Sequence, residues 1–213
     1  MAIEITNHDL PYDTHNTYDV FFFGDTVLTT VTTDSDTVSS WISDIRFIHR
    51  FRLHNLIVGL DVEWRPSYSS YQNPVATLQI CVGRRCLIYQ IIHNDGCIPE
   101  SLADFLSDDD FTFVGVGVDS DLEKLYSGYG IGGDARTVDL RQLAAARYGQ
   151  NYLKNVGIQE LASLVLEKEV DKPRYVTMSR WDDRWLSDDQ VKYACVDAFV
   201  SFEIGRILNA SRF

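Results

Sequence analysis

Two carboxylates interrupt an otherwise apolar run, Leu56-Ile57-Val58-Gly59-Leu60-Asp61-Val62-Glu63. A nearly continuous apolar run of this kind reads as a central strand covered on both faces. Residues i and i+2 of a strand share a face, so Asp61 and Glu63 project together at its C-terminal end. Two like charges there repel and lose hydration, a cost that a cation between them would offset. Hard oxygen ligands suit Mg²⁺ or Mn²⁺. Acids capping nearby helices are the structural alternative. Asp121 repeats the arrangement after a second apolar run, 111–118, at the start of a helix. With Asp119 and Glu123 beside it, ordinary first-turn acids at a helix N-terminus explain the same letters. Tyr193 and Asp197 lie four apart on a final helix, hence on one face and one turn apart. Among Ala194, Val196, Val200, Ile204 and Leu208, Asp197 needs a partner unless it sits on the helix rim.

The elements that must carry these residues are legible from periodicity and punctuation. Residues 18–23 and 27–31 are β-rich and flank Gly24-Asp25, which predicts a hairpin. Thr33-Asp34-Ser35 offers N-caps, after which Val38, Trp41, Ile42, Ile45 and Ile48 recur at helical spacing to about 51. Strands are predicted over 75–82 and 86–91, joined around Gly83-Arg84-Arg85, and over 111–118. Helices are predicted from Pro99 at N1 to 106, then over 119–126, 140–148, 158–166 and 187–208, the last after a long loop, 167–186. Gly128-x-Gly130-x-x-Gly133 fits a dinucleotide fingerprint by letters, but it follows a helix instead of a strand and reads as a turn. The pattern predicts an α/β class with a mixed sheet. Residues 1–17 read as a polar N-terminal arm and 18–213 as one domain, with 18–51 as a hairpin-plus-helix extension.

Length and composition agree with one globular domain. The 213 residues are 45% hydrophobic and 23% charged, which excludes a disordered tail, a collagen and a disulfide-stapled miniprotein. Acids number 31 against 19 basic residues, a net charge of −12, opposite in sign to a non-specific nucleic-acid coat protein. Carboxylates that hold metal reduce that charge when loaded. Cys81, Cys86, Cys97 and Cys195 form no C-x-x-C pair and read as reduced thiols, which suits the cytoplasm or the nucleus. The five histidines are dispersed at no metal-like spacing. No run approaches about 18 apolar residues, and the N-terminus shows no signal-peptide pattern, so neither membrane nor secretion is expected.

Asp-x-Glu on a strand, an Asp some sixty residues on and Tyr-x-x-x-Asp near the end make up the pattern of the DEDD exonucleases that carry a tyrosine. Gly59-Leu60-Asp61-Val62-Glu63-Trp64 resembles the first motif of the Werner-syndrome type. Ala76-Thr77-Leu78-Gln79-Ile80-Cys81 is similar to the strand that follows it. Val114 through Leu125, with Asp121 at the ligand position, resembles the second motif. Ser179-Arg180-Trp181 and Leu186 through Ala198 resemble the third. The resemblance spans roughly 56–208 in the right order, and the small size is most like plant Werner-like exonucleases, including the RISC-interacting clearing exoribonucleases.

That resemblance implies a ribonuclease-H-like fold and 3′→5′ hydrolysis of single strands, short RNA above DNA, to nucleoside monophosphates. It implies two divalent ions, Mg²⁺ or Mn²⁺, about 3.5–4 Å apart. Asp61 would bridge both, Glu63 and Asp197 would serve the ion carrying the attacking water, and Asp121 would act on the other through water. Tyr193 would orient that water. Trp64 and the basic residues Lys172, Arg174 and Arg180 are expected on the substrate, the last three within a loop cluster that includes Lys168 and Arg184. A solvated loop explains that cluster as well. The resemblance also implies a homo-oligomer in the form of a hexameric ring, to which Phe21, Phe22, Phe23 and Trp41 would contribute unless they cover the domain's own core. A small-RNA effector complex is a further expected partner. A DNA-trimming enzyme and an inactive assembly module are the alternatives.

Overall fold

Runs of β-branched and aromatic residues become strands in the computed structural model, which describes residues 3–10, 13–67, 71–94 and 96–213. In chain order the strands are β1 (Glu4–Asn7), β2 (His15–Phe22), β3 (Asp25–Thr32), β4 (Leu56–Glu63), β5 (Thr77–Val82), β6 (Arg85–Tyr89), β7 (Phe111–Gly115) and β8 (Thr137–Asp139). The helices are α1 (Ser35–Ile48), α2 (Glu100–Leu106), α3 (Val118–Tyr129), α4 (Leu140–Tyr148), α5 (Ile158–Leu166), α6 (Arg174–Thr177) and α7 (Asp188–Ile207). Among the described residues the strands form one sheet in the order β1-β2-β3-β6-β5-β4-β7-β8. The β3–β6, β4–β7 and β7–β8 pairs are parallel and the rest antiparallel, so the sheet is mixed, as expected.

Two apolar clusters cover the two faces. One joins α4, α5 and α7 to the sheet, through residues such as Val114, Leu143, Leu161, Trp181 and Phe199. The other joins α1, α2 and α3, through Trp41, Ile45, Leu60, Phe105, Phe113 and Leu122. Each large side chain buried in this way contributes about 1.5–3 kcal/mol relative to exposure. β4 lies inside the sheet, between β5 and β7, and alternates strictly between the two clusters. Leu56, Val58, Leu60 and Val62 enter the α1/α2/α3 cluster, which leaves Gly59, Asp61 and Glu63 on the α7 side.

α7 approaches that face unusually closely. Small residues Ala194, Ala198, Ser201 and Gly205 recur every third or fourth position along it and are all buried. A Cβ on Gly59 would stand 2.0 Å from the Ala198 carbonyl oxygen, and one on Gly205 would stand 2.8 Å from Val114. The start of α7 is fixed by a capping box: the Ser187 hydroxyl accepts from the Gln190 N–H, and Gln190 returns the bond to the Ser187 N–H.

The described part of segment 1–17 is not a free arm: it supplies β1 and the first residues of β2. Its polar letters suit an edge strand that pairs through its backbone, Glu4 opposite Phe21. Residues 1, 2, 11 and 12 of that segment lie outside the described residues. Three further differences are local. β7 stops at Gly115 because Gly117, at φ +80°, turns the chain into α3. Pro99 stands one position before its helix, as N-cap. Within the expected loop 167–186, Pro173 opens the short α6. Gly130 caps α3 in the left-handed region, so the glycine run ends a helix. Of the aromatics considered for contacts between copies, Phe22 and Trp41 are buried in the core and Phe23 packs against it.

Candidate active site

Asp61, Glu63 and Asp197 converge where β4 meets α7. One oxygen from each lies within 4.8 Å of the other two. Asp197 is buried, whereas Asp61 and Glu63 are half-buried at the mouth. Burial, and then the charges of Glu63, Asp197 and Asp121, hold the Asp61 carboxyl well above the usual range. Burial and then Asp197 push Glu63 up to about 8. Asp121 enters from the first turn of α3, outside the group of three. Burial raises it to about 7, and Asp61 and Glu63 both sense its charge.

A divalent cation fits this donor set. The Asp197 Oδ1 is buried with no hydrogen-bond partner among the described residues, a state that a buried carboxylate oxygen tolerates poorly. Three carboxylates face one ammonium, that of Lys172, whose Nζ lies 2.8 Å from the Asp197 Oδ2. Desolvation opposes the charge on Lys172, but Asp197, Asp61 and Tyr193 raise its pKa overall.

Tyr193 stands one turn before Asp197 on α7, with the Lys172 Nζ 4.9 Å from its ring centroid. The fully buried Trp181 backs it, centroids 6.1 Å apart. Burial and the Asp197 charge push the phenol further up, so it is neutral at physiological pH. A cleft of about 940 Å³ opens beside Tyr193, lined by Val170, Pro173, Tyr175, Val176 and Lys192 among others.

The remaining expected residues divide. Lys172 lies in the carboxylate cluster. Trp64 is half-buried at the end of β4, with the Lys124 ammonium 4.6 Å from its ring centroid. Arg174 opens α6 and is exposed, and Arg180 pairs with Asp183 at 3.2 Å.

Two features escaped the sequence reading. Thr77 and Gln79 are cross-strand partners of Glu63 and Asp61 and form the floor beside them, fully buried, with the Gln79 Nε2 donating to the Thr77 hydroxyl. A glutamine inside a wholly buried strand was the available signal. Asp139 caps α4, accepts from the Gly117 N–H at 3.1 Å and receives the Arg141 guanidinium at 2.6 Å. Although burial opposes it, the Arg141 bond holds the Asp139 carboxyl below its ordinary value. That latch fixes the turn from which α3 carries Asp121.

Comparison with known proteins gives the family and the fold. The chain is 37% identical over 155 residues to a 3′-5′ exonuclease of Arabidopsis thaliana, covering 71% of this chain and 52% of that protein. It is 32% identical over 151 residues to exonuclease 3′-5′ domain-containing protein 2 of Homo sapiens, covering 68% and 24%. The chain therefore spans about half or less of these relatives. In fold it is similar to Escherichia coli RNase D, with a TM-score of 0.69 at 19% identity over 85% of this chain and 44% of that one. The Aedes aegypti Nibbler EXO domain gives 0.67 at 18% identity over 85% and 87%. Those two likenesses show the fold, the ribonuclease-H-like α/β arrangement expected above. The profile of the 3′-5′ exonuclease family matches residues 29–211, a span that includes Asp61, Glu63, Asp121 and Asp197, and the chain belongs to that family.

Proposed function

We propose that the chain is a divalent-metal-dependent exonuclease that removes nucleoside monophosphates from the 3′ end of single-stranded nucleic acid, RNA in preference to DNA. The convergence of Asp61, Glu63 and Asp197 on one point supports this reading most directly. These three, with Asp121 beside them, would hold Mg²⁺ or Mn²⁺, which when bound acidifies a water and neutralises charge gathering on the phosphate. Hydrolysis joins the oxygen of that water to phosphorus and breaks the phosphorus bond to the 3′ oxygen of the shortened strand. Tyr193 stays protonated and orients the water by hydrogen bonding, without serving as a base. Trp64 offers a ring for stacking, and the cleft beside Tyr193 has room for a terminal nucleotide.

The preference for RNA follows the resemblance to plant Werner-like exonucleases, as do a homo-oligomeric, hexameric state and a small-RNA effector complex as partner. Phe47 and Phe51, 66% and 84% exposed at the end of α1 with the Arg50 guanidinium 4.5 Å from each ring, suit a contact between copies. The buried free thiols of Cys81, Cys86 and Cys195 suit the cytoplasm or nucleus. No described helix is long and apolar enough to cross a membrane.

The decisive experiment uses 5′-labelled single-stranded RNA and DNA of one sequence, with Mg²⁺ or Mn²⁺. A ladder shortening from the 3′ end, absent with chelator and in Asp61→Asn, is the expected result, with RNA degraded faster. Faster DNA degradation would assign the enzyme to DNA trimming. No ladder on either strand would leave an inactive assembly module.

A further inference from the structure

Lys172 occupies a place that neither its sequence context nor a phosphate-gripping loop explains. It lies in the connection between α5 and α6, immediately before Pro173, yet its ammonium points into the carboxylate cluster and bonds the Asp197 Oδ2 at 2.8 Å. The same ammonium senses Asp61 and Tyr193. One ammonium against three carboxyl groups leaves two without a cationic partner, a role that a divalent ion would fill. A cation arriving between Asp61, Glu63 and Asp197 meets the ammonium as a like charge at close range. Lys172 keeps a route away, because its side chain remains 28% exposed on a flexible four-carbon stem.

We propose that Lys172 is a rival of the divalent ion and couples metal loading to substrate: its ammonium holds Asp197 until a strand is present, then shifts to a substrate phosphate and leaves the carboxylates to the ion. This inference rests on the metal-site reading above. It makes two linked statements. Lys172 weakens metal binding by the free enzyme. Substrate strengthens metal binding, because the phosphate draws the competing charge away, and by reciprocity metal strengthens substrate binding.

The test is a direct Mn²⁺ titration, read by the electron paramagnetic resonance signal of free ion, with turnover excluded by a phosphorothioate-linked oligonucleotide that resists hydrolysis. Without oligonucleotide, Lys172→Met and Lys172→Gln should bind Mn²⁺ about tenfold more tightly than the wild type, and Lys172→Arg should not, since it keeps the charge. With oligonucleotide, wild-type affinity should rise by about tenfold while Lys172→Met changes by less than about threefold. A merely structural lysine predicts the reverse for the free enzyme, because Asp197 would lose its partner and drift, so equal or weaker binding in both neutral variants overturns the proposal. If Lys172→Met does not fold, Lys172→Gln decides. Absence of Mn²⁺ uptake by the folded wild type, with or without oligonucleotide, would instead sink the metal site itself.

Discussion

Burial and mutual repulsion raise the proton affinity of the clustered acids beyond what the one ammonium of Lys172 offsets, and that has consequences at the residue scale. Burial and neighbouring acids lift Glu63 from its ordinary 4.5 to about 8 and Asp121 from 3.8 to about 7, and lift Asp61 as well. The folded chain then binds protons that the unfolded chain has released, so stability falls as pH rises between about 4.5 and about 8. In chelator, the melting temperature should decline across that interval. Asp61→Asn should flatten the decline and raise the melting temperature at pH 8, because it removes one repelling charge, while abolishing turnover. A melting curve that is lower for Asp61→Asn at pH 8 would assign the acid a structural role. Tyr193→Phe removes one orienting hydroxyl and leaves the ring against Trp181, so turnover should fall by about 10 to 10³-fold with little change in melting. Wild-type rates in that variant would remove the tyrosine from the chemistry.

At the scale of elements, the carboxylate cluster exists because β4 and α7 touch backbone to backbone. Gly59→Ala would place a methyl 2.0 Å from the Ala198 carbonyl oxygen, where neither chain can yield without separating Asp61 from Asp197. Gly205→Ala meets only side-chain atoms, of Val114 at 2.8 Å and of Ile57 at 3.3 Å, which can shift without moving the backbone. Denaturant unfolding should therefore show the larger loss for Gly59→Ala, about 2–3 kcal/mol, with activity falling further than stability explains. Equal losses in the two variants would mean that this contact does not set the spacing. The same contact shows what the sequence could reveal. Periodicity sufficed for β4 and α7, and for the faces on which Asp61, Glu63, Tyr193 and Asp197 lie, because those patterns are local. Three-residue β8 and four-residue α6 are too short to display a period, and β1 reads as polar because an edge strand need not bury either face. The Asp139–Arg141 latch, the Gln79 floor and the bond from Lys172 to Asp197 join residues whose spacing carries no periodic signal or that lie far apart in sequence.

Over the whole molecule the net charge of −12 sets how a polyanion can be held. The basic loop offers less than its letters suggest. Lys168 pairs with Asp25, Lys172 with Asp197 and Arg180 with Asp183, which leaves Arg174 and Arg184 as the loop cations without an ion pair among the described residues. Affinity must then come from stacking and from bound divalent ions more than from a cationic track, the opposite of a self-sufficient coat protein. Counterion release from single strands gives a slope of about −0.7 per phosphate contact when log affinity is plotted against log salt. Arg174, Arg184 and a Lys172 released onto phosphate make three contacts and predict a slope of about −2.1. Fluorescence anisotropy of a labelled RNA on Asp61→Asn, titrated with KCl, measures it without turnover. A slope steeper than about −4 would require some six contacts, more than the free cations of this loop supply. Basic residues from a second copy, brought to the cleft by an assembly through Phe47 and Phe51, would then have to complete the track, and Phe51→Asp should return the slope to the shallow value.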